Sequence, residues 1–260
     1  MYETIALDMD PRGVATLTLA REEKHNALSA AMIEELAAAA AAIAADKAVR
    51  VVVLTGRGAS FCAGGDLNWM RDQFAASRET RIAEARKLAA MLGALNELPQ
   101  PLIGRVNGQA YGGGVGMMAV CDAVIAADHA KFGFTETRLG LIPATISPYV
   151  LARMGEGAAR RVFMSARIFG AEEAVALGLA AKAVPAALLD EAIEAEVAPY
   201  LAAAPGAVTR SKRLARMLGP RIEPSVVEAT IAALADAWDD AEAHEGVGAF
   251  LEKRKPAWKG

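Results

Sequence analysis

Apolar and polar residues alternate over residues 4–9 (TIALDM) and 14–19 (VATLTL), and Asp10-Pro11-Arg12-Gly13 between them has the chemistry of a tight turn. The chain therefore opens on a predicted hairpin. Ser29 is a predicted N-cap for the alanine-rich run 30–46, where Glu34 and Glu35 sit in the early turns of a strong helix former. Residues 50–56 (RVVVLTG) have the length and β-branching of a buried strand closed by glycine. Two helical stretches follow from about Leu67 to Leu98 and stop at Pro99-Gln100-Pro101. Residues 102–108 (LIGRVNG) are the next strand, and Gly112, Gly113, Gly114 and Gly116 lead into a helical MMAV. AVIAAD and KFGF are further short strands. From Glu156 onward the pattern is mostly helical, with breaks near Gly178 to Pro185, at Pro205-Gly206 and at Gly219-Pro220. Strands alternating with helices, then a helical tail, predict an α/β core with a C-terminal helical extension. No internal repeat or low-complexity linker marks a second independent domain.

Composition narrows this picture. The 260 residues can bury a large core, and 54% hydrophobic with 23% charged residues argues against disorder. A formal charge of −3 offers no basic field for a phosphate backbone, so nucleic acid is not an expected partner. The opening MYETIALDMD has acidic residues where a signal peptide needs a basic stretch, and no apolar run reaches membrane-spanning length. A cytoplasmic protein with no membrane partner is expected. Cys62 and Cys121 have no C-x-x-C spacing, and His25, His129 and His244 are scattered without a ligand pattern, so neither a disulfide framework nor a metal site is expected.

Two glycine-rich turns carry the chemistry. Phe61-Cys62-Ala63-Gly64-Gly65-Asp66-Leu67 follows one predicted strand, and Asn107-Gly108-Gln109-Ala110-Tyr111-Gly112-Gly113-Gly114-Val115-Gly116 follows another. Small residues let a ligand approach the main chain, and a helix N-terminus supplies free N–H groups at its positive end. Two such turns side by side can aim two donors at one oxygen, which is what a reaction developing enolate charge on a thioester carbonyl requires. Either turn alone is as readily explained as punctuation. The glycine cluster does not complete a G-x-G-x-x-G fingerprint, since Met117 occupies its last position, and the chain has no P-loop and no G-x-S-x-G elbow. Cys62, beside Phe61 and without a nearby histidine, reads as a packed residue and not a nucleophile.

With these residues in view, the chain resembles the crotonase (enoyl-CoA hydratase/isomerase) family over essentially its whole length. The matches run in order through Lys24-His25-Asn26-Ala27-Leu28, FCAGGDL, NGQAYGGG, Phe132-Gly133 with Glu136, Gly140-Leu141-Ile142-Pro143 and the tail Phe250-Leu251-Glu252-Lys253-Arg254-Lys255-Pro256. The resemblance implies a crotonase spiral of ββα units over residues 1–200. It also implies a C-terminal helical region over 201–260 that drives assembly into a homotrimer or a dimer of trimers. It implies an acyl-CoA thioester substrate with CoA arriving as part of it, and no other cofactor. The amides of Ala63 and Gly113 are implied as the oxyanion hole. Gly64, Gly65, Asp66 and Leu67 would shape the loop around the pantetheine arm, with Lys24, Ala27, Phe250 and Lys253 as candidate contacts to CoA.

Hydratases of this family usually carry two glutamates around a water. Glu136 matches the second; Gly116 stands where the first would be. A glycine transfers no proton, so Glu136 is the candidate acid/base, in an apolar setting that would raise its pKa. Two chemistries fit one carboxylate: addition of water across the α,β double bond, or proton shuttling in a double-bond isomerisation. YGGGVGMMAVCD, GGDLNWM and GLIPATISPYVLARMG are similar to bacterial 3-methylglutaconyl-CoA and isohexenylglutaconyl-CoA hydratases, a subgroup in which glycine at the first position is implied to be tolerated. Hydration of a branched glutaconyl-type CoA is therefore the expected reaction. Arg138 is a candidate partner for a distal carboxylate, or equally a surface ion-pair residue. Trp69, Met70, Phe74 and Ile146 are expected to shape the acyl pocket. The alternative of another class is a catalytically weakened scaffold that binds CoA thioesters or RNA, against which the retained Glu136 and the acidic balance argue.

Overall fold

The computed structural model describes residues 2–259. Alternating residues build its first element, a hairpin of β1 (Ile5–Met9) and β2 (Val14–Leu19) paired antiparallel from Ile5↔Leu19 to Met9↔Ala15. Ser29 caps α1 (Ala30–Ala45), its hydroxyl accepting the Met32 N–H at 3.3 Å. All six residues of β3 (Val51–Gly56) are buried, and β3 pairs parallel to β2. That total burial explains why its sequence is a continuous apolar run and not an alternation.

The chain then repeats one motif. β4 (Ser60–Cys62) leads to α2 (Leu67–Ala75) and α3 (Arg78–Asn96). Next come β5 (Leu102–Val106), β6 (Gln109–Tyr111) and α4 (Gly113–Val120), then β7 (Ala123–Ala127) and β8 (Lys131–Gly133). After β8 a 3-10 turn at Glu136–Leu139 precedes α5 (Ser147–Met154) and α6 (Glu156–Phe163). Each pass places one strand in a large sheet, one in a small sheet and a helix after it. β9 (Phe169–Gly170), α7 (Ala171–Ala176) and β10 (Lys182–Val184) close the core.

The large sheet has the order β1-β2-β3-β5-β7-β10, parallel from β2 onward, and the small one β4-β6-β8-β9, parallel through β8. This is the ββα spiral the sequence resemblance implies. The tightly wound chain was not fully legible beforehand: β4, β6, β9 and β10 are two or three residues long, too short to show a period. β10 falls inside the segment 178–185 that reads as a helix break.

Both faces of the large sheet are covered. Val51, Val53, Ile103 and Ile125 face α8 (Leu189–Ala202) through Leu189, Ile193 and Val197. Burying such a side chain stabilises by about 2 kcal/mol. Val52, Leu54, Leu102 and Val124 face the main core with α1, α3 and α4. Three more helices follow, α9 (Pro205–Leu218), α10 (Pro224–Asp239) and α11 (Ala241–Leu251). α10 lies along α3 through Ile231, Ala85 and Ala89, and α11 packs through Val247 against Leu141 and Trp238. α9 buries no residue and leaves Leu214, Met217 and Leu218 exposed. Among the described residues no helix is long and apolar enough to cross a membrane.

Candidate active site

Three neighbouring parallel strands of the small sheet deliver the functional segments. β4 runs into Ala63–Asp66, β6 into Gly112 and Gly113, and β8 into Thr135 and Glu136. Adjacent strands lie about 4.8 Å apart, so the loops leaving their carboxyl ends converge on one spot. They converge on a cavity of about 980 Å³ whose wall includes Gly65, Gly113 and Glu136.

The main-chain donors sort themselves by what they already bond. The Ala63 N–H donates to the His25 carbonyl at 3.0 Å, so it is not free for a ligand. This corrects the assignment of Ala63 as an oxyanion donor. The Leu28 N–H donates to the Gly64 carbonyl at 2.7 Å, and the Leu28 carbonyl accepts the Asp66 N–H at 2.9 Å. Between those two bonds the Gly65 N–H has no protein acceptor among the described residues, and neither does the N–H of Gly113, the first residue of α4. Gly112 holds a positive φ of 48°, and its own N–H is spent on the Gly133 carbonyl at 3.0 Å. That bond ties the start of α4 to the end of β8 and so to Glu136.

Asp66 keeps the first loop rigid. It caps α2 by accepting the N–H groups of Asn68 (2.8 Å) and Trp69 (3.3 Å), and it pairs with Arg21 at 2.9 Å. Burial pushes its carboxyl up, but the Arg21 hydrogen bond, the two amides and the Arg21 charge together hold it below the usual carboxylate range.

Glu136 has the opposite surroundings. Its Oε2 is buried with no hydrogen-bond partner, and Oε1 lies 2.9 Å from the point where a Cβ on Gly112 would sit. Burial raises its pKa to about 7, opposed only by its own backbone amide. The turn that carries it is clamped from behind: a Cβ at Gly246 of α11 would come within 2.5 Å of the Leu139 carbonyl carbon, a contact only glycine permits. No other buried side-chain carboxylate oxygen among the described residues is without a partner. Two free amides beside a carboxyl that titrates near neutrality can hold a developing oxyanion and move a proton.

Residues 10–260 match the model of the enoyl-CoA hydratase/isomerase family. The chain belongs to that family. Its relatives include the 2,3-dehydroadipyl-CoA hydratase of Escherichia coli, 35% identical over 257 residues that cover 95% of each chain. An enoyl-CoA hydratase from Shewanella pealeana superposes with a TM-score of 0.82 at 34% identity, covering 99% of this chain and 97% of that one. Pseudomonas aeruginosa AtuE does so with a TM-score of 0.80 at 37% identity, covering 99% and 100%. The fold is the crotonase spiral of that family.

Gly116, where the sequence resemblance puts the first of two glutamates, has little room beside it. A Cβ at Gly116 would lie 2.4 Å from Ile146 Cγ2 and 3.8 Å from Leu92 Cδ2. The space a longer side chain would enter is filled by Ile146.

The cavity wall also includes Lys24, Ala27, Gly64, Leu67, Arg138 and Phe250, as well as Trp69, Met70 and Ile146. Lys253 and Phe74 are not in that wall; Phe74 packs edge-on against His244, with ring centroids 5.5 Å apart. Lys24 and Arg138 make no ion pair among the described residues. Cys62 is fully buried and its thiol is pushed up to about 12, which removes it as a nucleophile. Three residues escaped the sequence reading. Arg21 precedes the matched motif, Gly246 resembles an ordinary helix defect, and Thr145 shows its buried, unpartnered hydroxyl only in three dimensions.

Proposed function

We propose that the protein adds water across the α,β double bond of an enoyl-CoA thioester. The thioester oxygen accepts the Gly65 and Gly113 N–H groups, and Glu136 takes a proton from water as its oxygen bonds to the β-carbon. Glu136 then returns that proton to the α-carbon, so one water is added and the carboxylate is restored. CoA is part of the substrate and no further cofactor takes part. The observation that carries this reading is Glu136 itself, half-buried with its Oε2 buried and unpartnered in the cavity wall that also holds two free amides, and its pKa raised to about 7.

The acyl group we propose is a branched, glutaconyl-type chain with a distal carboxylate. Arg138, without an ion-pair partner in the cavity wall, would receive that carboxylate. The name of the Escherichia coli relative, a dehydroadipyl-CoA hydratase, points in the same direction. Lys24, Ala27, Leu67 and Phe250 would meet CoA, and the exposed apolar residues of α9 would meet further copies of the chain in a trimer or dimer of trimers. Double-bond isomerisation is the second reading, favoured by the filled space at Gly116, because a one-carboxylate shuttle needs no water.

Turnover with 3-methylglutaconyl-CoA, crotonyl-CoA and a 3-enoyl-CoA, following loss or migration of the double bond, separates these. Hydration of the glutaconyl ester above the rate for crotonyl-CoA is expected. Migration without water uptake would establish the isomerase, and no turnover of any ester would remove both.

A further inference from the structure

Among the described residues three buried side-chain polar atoms have no hydrogen-bond partner, and two of them, Glu136 Oε2 and Thr145 Oγ1, belong to residues in the wall of the cavity described above. The third, Gln100 Oε1, belongs to a side chain whose amide nitrogen already serves the Ile43 carbonyl, away from that cavity. A buried polar atom without a partner costs about 1–3 kcal/mol, so two in residues that line one cavity call for a molecule that satisfies both.

Glu136 and Ile146, the residue after Thr145, touch the same turn of α4. Glu136 Oε1 sits 2.9 Å from a Cβ position on Gly112, and Ile146, next to Thr145, sits 2.4 Å from a Cβ position on Gly116. The Gly116 N–H donates to the Gly112 carbonyl at 3.0 Å, so these reference points are one helical turn apart, about 5–6 Å. A single water satisfies two buried groups lining one cavity when it has two or more polar partners. Thr145 is only 5% exposed, and the neighbouring wall, Ile146, Ala144 and Leu141, is apolar.

We propose that Thr145 is the second polar group of the hydration site, holding the water that Glu136 deprotonates. The water donates one O–H to Glu136 and the other to Thr145 Oγ1, which leaves a lone pair for the β-carbon. The hydroxyl carries no proton in the reaction; it fixes the direction of attack. In this chain a threonine and an isoleucine thus divide the first glutamate's tasks: Ile146 takes its volume and Thr145 its hydrogen bond. The inference rests on the hydratase reading above.

The test compares Thr145→Val and Thr145→Ser with the wild-type protein. Thr145→Val keeps the shape and removes a hydroxyl with no protein partner, so its thermal midpoint is expected to equal or exceed the wild-type value. Its hydration kcat is expected to fall about 100-fold, the loss of one strong hydrogen bond, with KM within threefold. Thr145→Ser is expected within about fivefold of wild type by the same argument. Solvent exchange of the α-protons of butanoyl-CoA, which needs Glu136 but no held water, is expected to continue unchanged in Thr145→Val. A hydration kcat within threefold of wild type in Thr145→Val would overturn the role while leaving the hydratase reading intact. So would an equal fall in exchange, or a lowered midpoint. A wild-type protein that hydrates none of the three esters would overturn both.

Discussion

Asp66 and Glu136 are carboxylates in the wall of one cavity, and they are held in opposite states. Asp66 has a guanidinium at 2.9 Å and two main-chain N–H groups, which hold its carboxyl below the usual carboxylate range. Glu136 has an apolar surround, an oxygen without a partner and a pKa raised to about 7. Both are desolvated; what differs is whether donors replace the lost water. The first arrangement makes a rigid loop, the second a group that exchanges protons near neutrality. Two carboxyls driven apart in this way indicate which one does chemistry.

The largest break in that contrast is Glu136→Gln, which keeps shape and removes the proton carrier. Hydration should fall at least about 10³-fold in both kcat and kcat/KM, with CoA-thioester affinity retained in a direct binding assay. Removing the partner of the other carboxylate acts on stability instead. Arg21→Met leaves Asp66 buried and charged, and a loss of about 3 kcal/mol in denaturant unfolding is expected.

The same contrast has a pH signature with a definite sign. Glu136 titrates near 7 in the native state and near 4.3 unfolded, so its contribution to native stability is full below about pH 4.3 and is lost as pH rises through 7, by about 4 kcal/mol. Glu136→Gln removes the penalty, and its unfolding midpoint should exceed the wild-type value at pH 8 but not at pH 4.5. In the wild type kcat/KM should climb to a plateau above about pH 7, since the base must be ionised. A pH profile flat between 5 and 8 would remove Glu136 as the base. The smallest effect lies at the filled position: Gly116→Ala meets Ile146 Cγ2 and should cost about 1 kcal/mol net, overpacking offset by better helix propensity. Adding Ile146→Ala should make the double variant more stable than the sum of the two single effects, a coupling that a thermal-unfolding cycle measures.

Much of the fold was open to reading along the chain. The hairpin, α1 with its Ser29 cap and the buried strand β3 all rest on neighbours in sequence, where period and capping chemistry act. The two glycine turns were equally legible, because small residues are a local signal, whereas Glu136 was singled out by the family resemblance. The choice of amide was not: Ala63 is three residues from Asp66, yet its N–H belongs to His25, and Gly65 is left free only because Leu28 bridges the residues on either side of it.

The sequence by itself therefore determined which segments can turn and which can be buried, since each depends on the residues beside it, and its family resemblance pointed to Glu136. The tertiary structure alone decided that the three-residue strands β4, β6 and β8 lie in parallel and bring their loop ends together. It alone decided that Ile146 fills the space beside Gly116, thirty residues away, and that Thr145 lies in the same wall as Glu136. The physical reason is that pairing of strands, burial of a carboxylate and filling of a gap are contacts between residues far apart in the chain, and no local period records them.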